Sequence, residues 1–302
     1  MAIETVGKDF KDLVQVNEEG DLQYDTDIMA DEIKSPGNDH QPVIAVFDNS
    51  ISMSGDAGNG KTKSEIVVEQ YNDIPNSEAV KGLNAVERNA VDMIALSFGG
   101  DGVKVLAPWM PMSVNEGIEK LNPTGLTPGY EALVNGIEAS RVIRHRYAKE
   151  GVGCRRPQIT MFTDGMWNDG NKTVTVTIDG EEKTMTQKEY AKHMCEKYAS
   201  KENGKVKIFV ILIPGAMTQE QIDYVTAECQ SLCDNITVVL ATDCVNGLPA
   251  AFQLLTASAV VGVSSTIGEE MKVKYDPEHL KVAGGTKVSN GVMEIGPQIT
   301  WQ

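Results

Sequence analysis

The chain has 302 residues, 41% of them hydrophobic and 23% charged, enough to bury one large core with small appendages. With 27 Lys and Arg against 43 Asp and Glu, the formal net charge is −16, which repels phosphate backbones and anionic membrane surfaces. That balance argues against nucleic acid and membrane as partners and makes a cation a natural ligand; no stretch approaches the roughly 20 apolar residues of a membrane span, and Met1 leads into Glu4, Lys8 and Asp9 instead of an apolar signal core, so a cytoplasmic location is expected.

Residues 1–41 read as an acidic N-terminal arm, because turn-forming stretches at 17–21 and 35–39 interrupt any periodicity. The domain proper is expected over 42–258. The apolar run 43–47 has strand length and ends in Asp48, as expected for a strand covered on both faces. Residues 55–77 read as an insertion, after which Val80, Leu83, Val86, Ala90 and Ile94 keep helical spacing. A second run, 93–98, joins 103–106 through a Gly-rich turn, the pattern of a hairpin that places one antiparallel strand at a sheet edge.

A capping box begins at Ser113, and helical spacing resumes at Tyr130, Leu133, Val134 and Ile137. Strand runs recur at 159–162, 208–213 and 236–240, with helix starts signalled by capping boxes at Thr186 and Thr218. Alternating Val and Thr predict a hairpin insertion at 172–184. Residues 259–302 read as a small β-rich appendage that pairs with the arm. The expected class is α/β, Rossmann-like: a mostly parallel central sheet with one antiparallel edge strand, helices on both faces, and small N- and C-terminal β appendages.

In such a sheet ligands bind at the carboxyl ends of the strands, and three oxygen-rich stretches fall there. Asp48-Asn49-Ser50-Ile51-Ser52-Met53 follows the first strand, Thr163-Asp164-Gly165 follows the strand at 159, and Thr124-Gly125-Leu126-Thr127-Pro128 opens a helix. Two carboxylates and three hydroxyls suit a hard cation, Mg²⁺ first and Mn²⁺ or Ca²⁺ next, and leave at least one coordination position for water or an incoming carboxylate.

Asp48-x-Ser50-x-Ser52-Met53, a later helix-opening Thr and a strand-terminal Thr-Asp-Gly, in that order, resemble the metal-ion-dependent adhesion site (MIDAS) of the von Willebrand factor A (vWA) family. Gly125-Leu126-Thr127, Ala132-Leu133 and residues 159–165 are most similar to its intracellular bacterial branch associated with tellurium resistance. The resemblance implies that Ser50, Ser52 and Thr127 contact the metal, that Asp48 and Asp164 act directly or through water, and that a partner's Asp or Glu supplies the last ligand. It implies an interaction module of a bacterial or phage protein, with no enzymatic activity. Thr124 competes for the hydroxyl role, although Thr127 has the family's spacing to Leu133. Ile51 and Leu126 stand where the family commonly has Gly.

The rival reading is a P-loop nucleotide-binding protein or hydrolase, since residues 55–62 match GxxxxGKT, with Lys61 toward phosphates and Thr62 toward Mg²⁺. Against it, the first Gly lies seven residues beyond Asp48 instead of directly after the strand. Arg141, Arg144, Arg146, Arg155 and Arg156 form a cluster that either complements a helix C-terminus or docks an acidic or phosphorylated partner. The five cysteines, Cys154, Cys195, Cys229, Cys233 and Cys244, are odd in number and scattered, which suits a reducing compartment, and Cys229, Cys233 and Cys244 read as buried thiols in preference to a zinc site.

Overall fold

The computed structural model describes residues 7–16, 22–24, 39–100, 102–200, 204–213, 215 and 217–301. The described chain begins with α1 (Phe10–Leu13), β1 (Val14–Val16) and β2 (Leu22–Tyr24). Then come β3 (Gln41–Asp48), α2 (Lys63–Asn72), α3 (Glu78–Lys81), α4 (Ala85–Asn89), β4 (Val91–Gly99) and β5 (Gly102–Pro111). The middle third holds α5 (Gly129–Glu150), β6 (Gln158–Thr163), β7 (Thr173–Ile178), β8 (Glu181–Thr186) and α6 (Gln187–Tyr198). After β9 (Lys207–Leu212), α7 (Gln219–Leu232), β10 (Ile236–Ala241) and α8 (Gly247–Ser264), four strands close the chain: β11 (Glu270–Lys274), β12 (Leu280–Gly284), β13 (Val288–Ser289) and β14 (Val292–Pro297).

Seven strands form the central sheet in the order β12-β10-β9-β6-β3-β4-β5. The five inner strands run parallel, and β5 and β12 run antiparallel at the two edges. Every residue of β3, β4, β6 and β9 is buried, which explains why these strands read as unbroken apolar runs without alternation. One face packs Ile44, Val46 and Leu96 against Leu133 and Ile137 of α5 and Met194 of α6. The other packs Val43, Ala45 and Phe47 against Ile66, Val67 and Tyr71 of α2 and Phe252 of α8. Phe47 anchors that second core: its ring lies 5.5 Å from Tyr71, 5.4 Å from Phe162 and 6.0 Å from Phe252, within the range where aromatic pairs attract beyond simple burial.

Several sequence expectations need correction. Residues 55–77 are not an insertion, because they contain α2, whose buried Ile66, Val67 and Tyr71 make it part of the crossover between β3 and β4. The helix expected over 80–94 is broken: Asn84 caps a new helix by accepting from the amides of Val86 and Glu87, and Ile94 belongs to β4. The Ser113 capping box starts no helix; residues 112–114 form a single 3₁₀ turn. The boundary at 258/259 cuts through α8, an apolar helix whose Leu254, Leu255, Ala259 and Val263 are buried in the second core.

The C-terminal segment is an appendage only in part: β11, β13 and β14 form a separate three-stranded sheet, while β12 joins the central one. Its β12 pairs antiparallel with β10, so the sheet has two antiparallel edges instead of one. Among the described residues the remaining tail strands pair with one another, β11 and β13 flanking β14, and none pairs with the arm. The described start of the arm lies along β5, with Gly7 N donating to Val105 O and Val105 N to Lys8 O; its turn-rich stretches at 17–21 and 35–38 lie outside the described residues.

The arginine cluster ties these parts together and is not a free docking patch. Arg141 pairs with Glu138 at 2.7 Å, Arg146 with Glu150 at 2.5 Å, and Arg144 lies over the Trp301 ring at 5.5 Å. Arg155 donates to the carbonyls of Gly262 and Ser265 at 2.8 and 2.7 Å. Arg156 reaches the carbonyls of Ile295 and Pro297 at 3.2 and 3.3 Å. Solvent withdrawal pushes the Arg156 guanidinium down to about 10.

Candidate metal centre

From β3 the chain runs first to β4 and β5 on one side, then crosses to β6 and the remaining strands on the other. The order therefore reverses between β3 and β6, and the carboxyl ends of those two neighbouring strands carry Asp48 and Thr163-Asp164. This is the position at which open α/β sheets bind ligands, because the loops diverge there and leave a crevice.

Both aspartates are fully buried. Asp48 Oδ1 accepts from the Ser50 amide at 2.8 Å, and Oδ2 accepts from the Thr163 hydroxyl at 2.7 Å. The turn after β3 closes as a 3₁₀ turn over residues 51–54, which brings Ser50 Oγ within 3.0 Å of Ser52 Oγ. Ser52 Oγ in turn donates to Asp164 Oδ1 at 2.6 Å. Burial pushes the Asp48 carboxyl up to about 6; hydrogen bonds from Ser50 and Thr163 oppose the rise and the Asp164 charge adds to it.

Thr127 joins the group from the third loop. It is buried, and a Cβ built on Gly165 would stand 3.3 Å from its hydroxyl, so the Thr-Asp-Gly glycine leaves room for Thr127 beside Asp164. Asn168 fixes that loop by accepting from the Thr127 amide at 3.2 Å, and Asp169 accepts from the first-turn amides of Tyr130 and Glu131, completing the start of α5. The rival Thr124 is exposed and holds the loop through its backbone, to Asn49 and Gly100. All five expected residues, Asp48, Ser50, Ser52, Thr127 and Asp164, thus lie together at one crevice.

The donor set fits a hard divalent cation, since every candidate ligand is a carboxylate or hydroxyl oxygen. Among the described residues no group of three or more His, Cys, Asp or Glu gathers to offer the thiolate, imidazole or carboxylate cage of another metal type. One site residue escaped the sequence reading: Lys63, the first residue of α2, donates to Asp164 Oδ2 at 2.5 Å from a position 4% exposed. The sequence did hold a pointer to it, for Thr62-Lys63-Ser64-Glu65 is a capping box, and both of its reciprocal hydrogen bonds form.

The same segment argues against a phosphate-binding loop. Lys61 turns away to Glu69, 2.7 Å from both carboxylate oxygens. The amides a phosphate would need are already donated, Gly58 N to Asp56, Lys61 N to Asn59 and Thr62 N to Glu65.

No family model matches this chain, and no curated protein is similar to it. Several solved structures are similar to it in part. The pilus adhesin SpaC from Lactobacillus rhamnosus GG is 11% identical over 87% of this chain and 38% of its own, with a TM-score of 0.52. Proximal thread matrix protein 1 from the mussel byssus, solved with a zinc-occupied MIDAS motif, is 14% identical over 74% and 48% of the two chains, with a TM-score of 0.42. The SpRpn10 VWA domain is 13% identical over 67% and 88%, with a TM-score of 0.36. The chain thus spans 38% of the adhesin, and at these identities the likeness is one of architecture alone. The architecture shared with the adhesin is α/β, with a mostly parallel sheet, antiparallel edges and helices on both faces.

Proposed function

We propose that this chain is a noncatalytic protein-interaction module. A divalent cation, Mg²⁺ first, is held by Asp48, Ser50, Ser52, Thr127 and Asp164 and takes an Asp or Glu carboxylate from a protein partner. The observation that supports a protein as the ligand is the rim of the crevice. Each of its three loops presents a large exposed apolar side chain next to a proposed ligand: Ile51, 61% exposed, between the two serines; Leu126, 66% exposed, before Thr127; and Met166, 37% exposed, after Asp164-Gly165. The Ile51 amide donates to Gly125 O at 3.3 Å, so the first two loops are adjacent. A polar centre ringed by apolar side chains matches a protein interface, in which apolar contacts supply affinity and a desolvated polar contact supplies specificity.

The test is affinity capture from native lysate in Mg²⁺ and in EDTA, with Asp48→Asn and Leu126→Asp as variants. Capture should be lost in EDTA and with Asp48→Asn, and fall at least about tenfold with Leu126→Asp, the range of an interface hot spot. A partner retained equally in EDTA rules out a metal bridge.

A further inference from the structure

The ammonium of Lys63 is an unexpected occupant for a divalent-cation site. Its side chain is 4% exposed and stands 2.5 Å from Asp164 Oδ2, while Ser52 takes Oδ1 of the same carboxylate. A lysine head is strongly hydrated, so it stays buried only against a fixed opposite charge. Gly55 and Gly215 flank its stem, where added Cβ atoms would meet Lys63 Cε at ordinary contact distances of 3.8 and 3.6 Å. The residue is therefore held at Asp164 by charge in a buried position, and is no exposed surface lysine.

We infer that Lys63 is a tethered counter-ion that competes with the divalent cation for Asp164 and so sets the metal affinity of the site. The inference rests on the metal-centre reading above and adds a residue to it. With Asp48 and Asp164 ionised, Lys63 cancels one of their two charges, so an entering cation meets half the attraction the aspartates alone would exert. It must also share or displace the hydrogen bond to Asp164 Oδ2. A purely structural ion pair would behave differently: its removal would lower stability and leave metal affinity unchanged or weaker.

Mn²⁺ affinity of the full chain, read from the electron paramagnetic resonance of free Mn²⁺, separates these cases. Wild type is compared with Lys63→Met, with Lys63→Gln, which keeps a donor for Asp164 but no charge, and with Lys61→Met as the exposed neighbour. Both Lys63 variants should bind Mn²⁺ at least about tenfold tighter than wild type, a modest fraction of what one unit charge at contact distance exerts, and Lys61→Met should not differ. Should Lys63→Met fail to fold without Mn²⁺, Lys63→Gln alone supplies the affinity and decides between the two roles. Wild-type binding that depends on Asp48 but is equal or tighter than in both Lys63 variants overturns the inference and leaves the metal centre standing. Absence of Asp48-dependent Mn²⁺ binding in wild type and both variants overturns the metal centre and the inference together.

Discussion

Substituting Asp48 by Asn separates what the end of β3 does for binding from what it does for stability. The carboxylate is fully buried with two good donors, yet burial still pushes its pKa from 3.8 up to about 6. An acid raised in this way is held more tightly in its protonated form by the folded state. Its contribution to stability is therefore complete below about pH 4 and is lost as pH rises through about 6. Two pKa units at about 1.4 kcal/mol each give an upper figure of about 3 kcal/mol at pH 8.

Asn fits the same space, keeps an oxygen for the Ser50 amide, and can donate to the Thr163 hydroxyl once that hydroxyl turns. In EDTA at pH 8, Asp48→Asn should thus be about 2–3 kcal/mol more stable than wild type, with the difference vanishing toward pH 4. In excess Mg²⁺ the gap should narrow or invert, since only wild type gains from binding. Urea unfolding followed by tryptophan fluorescence between pH 4 and 8 measures both effects. A variant less stable than wild type in EDTA at pH 8 would refute the account of Asp48 as a strained, function-bearing carboxylate.

Two other substitutions probe the scaffold. A Cβ on Gly129 would lie 2.1 Å from the Trp167 ring, so Gly129→Ala should cost about 1–3 kcal/mol by overpacking and alter Trp167 fluorescence; an unchanged urea midpoint would show that the ring moves freely. Arg156→Ala leaves the Ile295 and Pro297 carbonyls without their donor and a void among the tail strands, so a loss of about 2–4 kcal/mol and faster hydrogen exchange in β14 are expected. Exchange in β14 at the wild-type rate would mean the tail is held by other contacts.

The parts of the fold legible in the sequence are those whose cause is local. The five parallel strands are buried on both faces, so their composition alone marks them, and four of the five proposed ligand residues lie at or just after strand ends, while Thr127 precedes α5. Helix α2 was missed because its apolar residues, Ile66, Val67, Val68 and Tyr71, cluster in its middle and end instead of recurring at helical spacing from its start, leaving little periodic signal. The opposite error arose over 80–94, where apolar spacing fitted a helix while Gly82 and the Asn84 cap divided it. Pairing of β12 with β10 joins residues about 40 positions apart across α8, a register set by tertiary packing and invisible to local pattern. Lys63 and Asp164 are 101 residues apart, so the ion pair that most alters the chemistry of the site had no local signature either.

Each of the four carboxylate oxygens of Asp48 and Asp164 has a donor within the protein: the Ser50 amide, the Thr163 hydroxyl, the Ser52 hydroxyl and the Lys63 ammonium. No buried carboxylate oxygen of the pair therefore lacks a hydrogen-bond donor, although only one of the two charges, that of Asp164, faces a counter-ion. The same completeness limits affinity, since an entering cation gains only the difference between its oxygen contacts and the hydrogen bonds it displaces. Charge balance then connects cation and partner. With Lys63 retained, a loaded site carries one excess positive charge, which a single partner carboxylate neutralises; with an uncharged residue at position 63 the loaded site would already be neutral. On this reading Lys63 weakens the hold on the cation and strengthens the attraction for the partner, and the apolar rim of Ile51 and Leu126 amplifies that attraction by excluding water. Linkage requires the converse, that partner binding tightens the hold on the cation by the same factor.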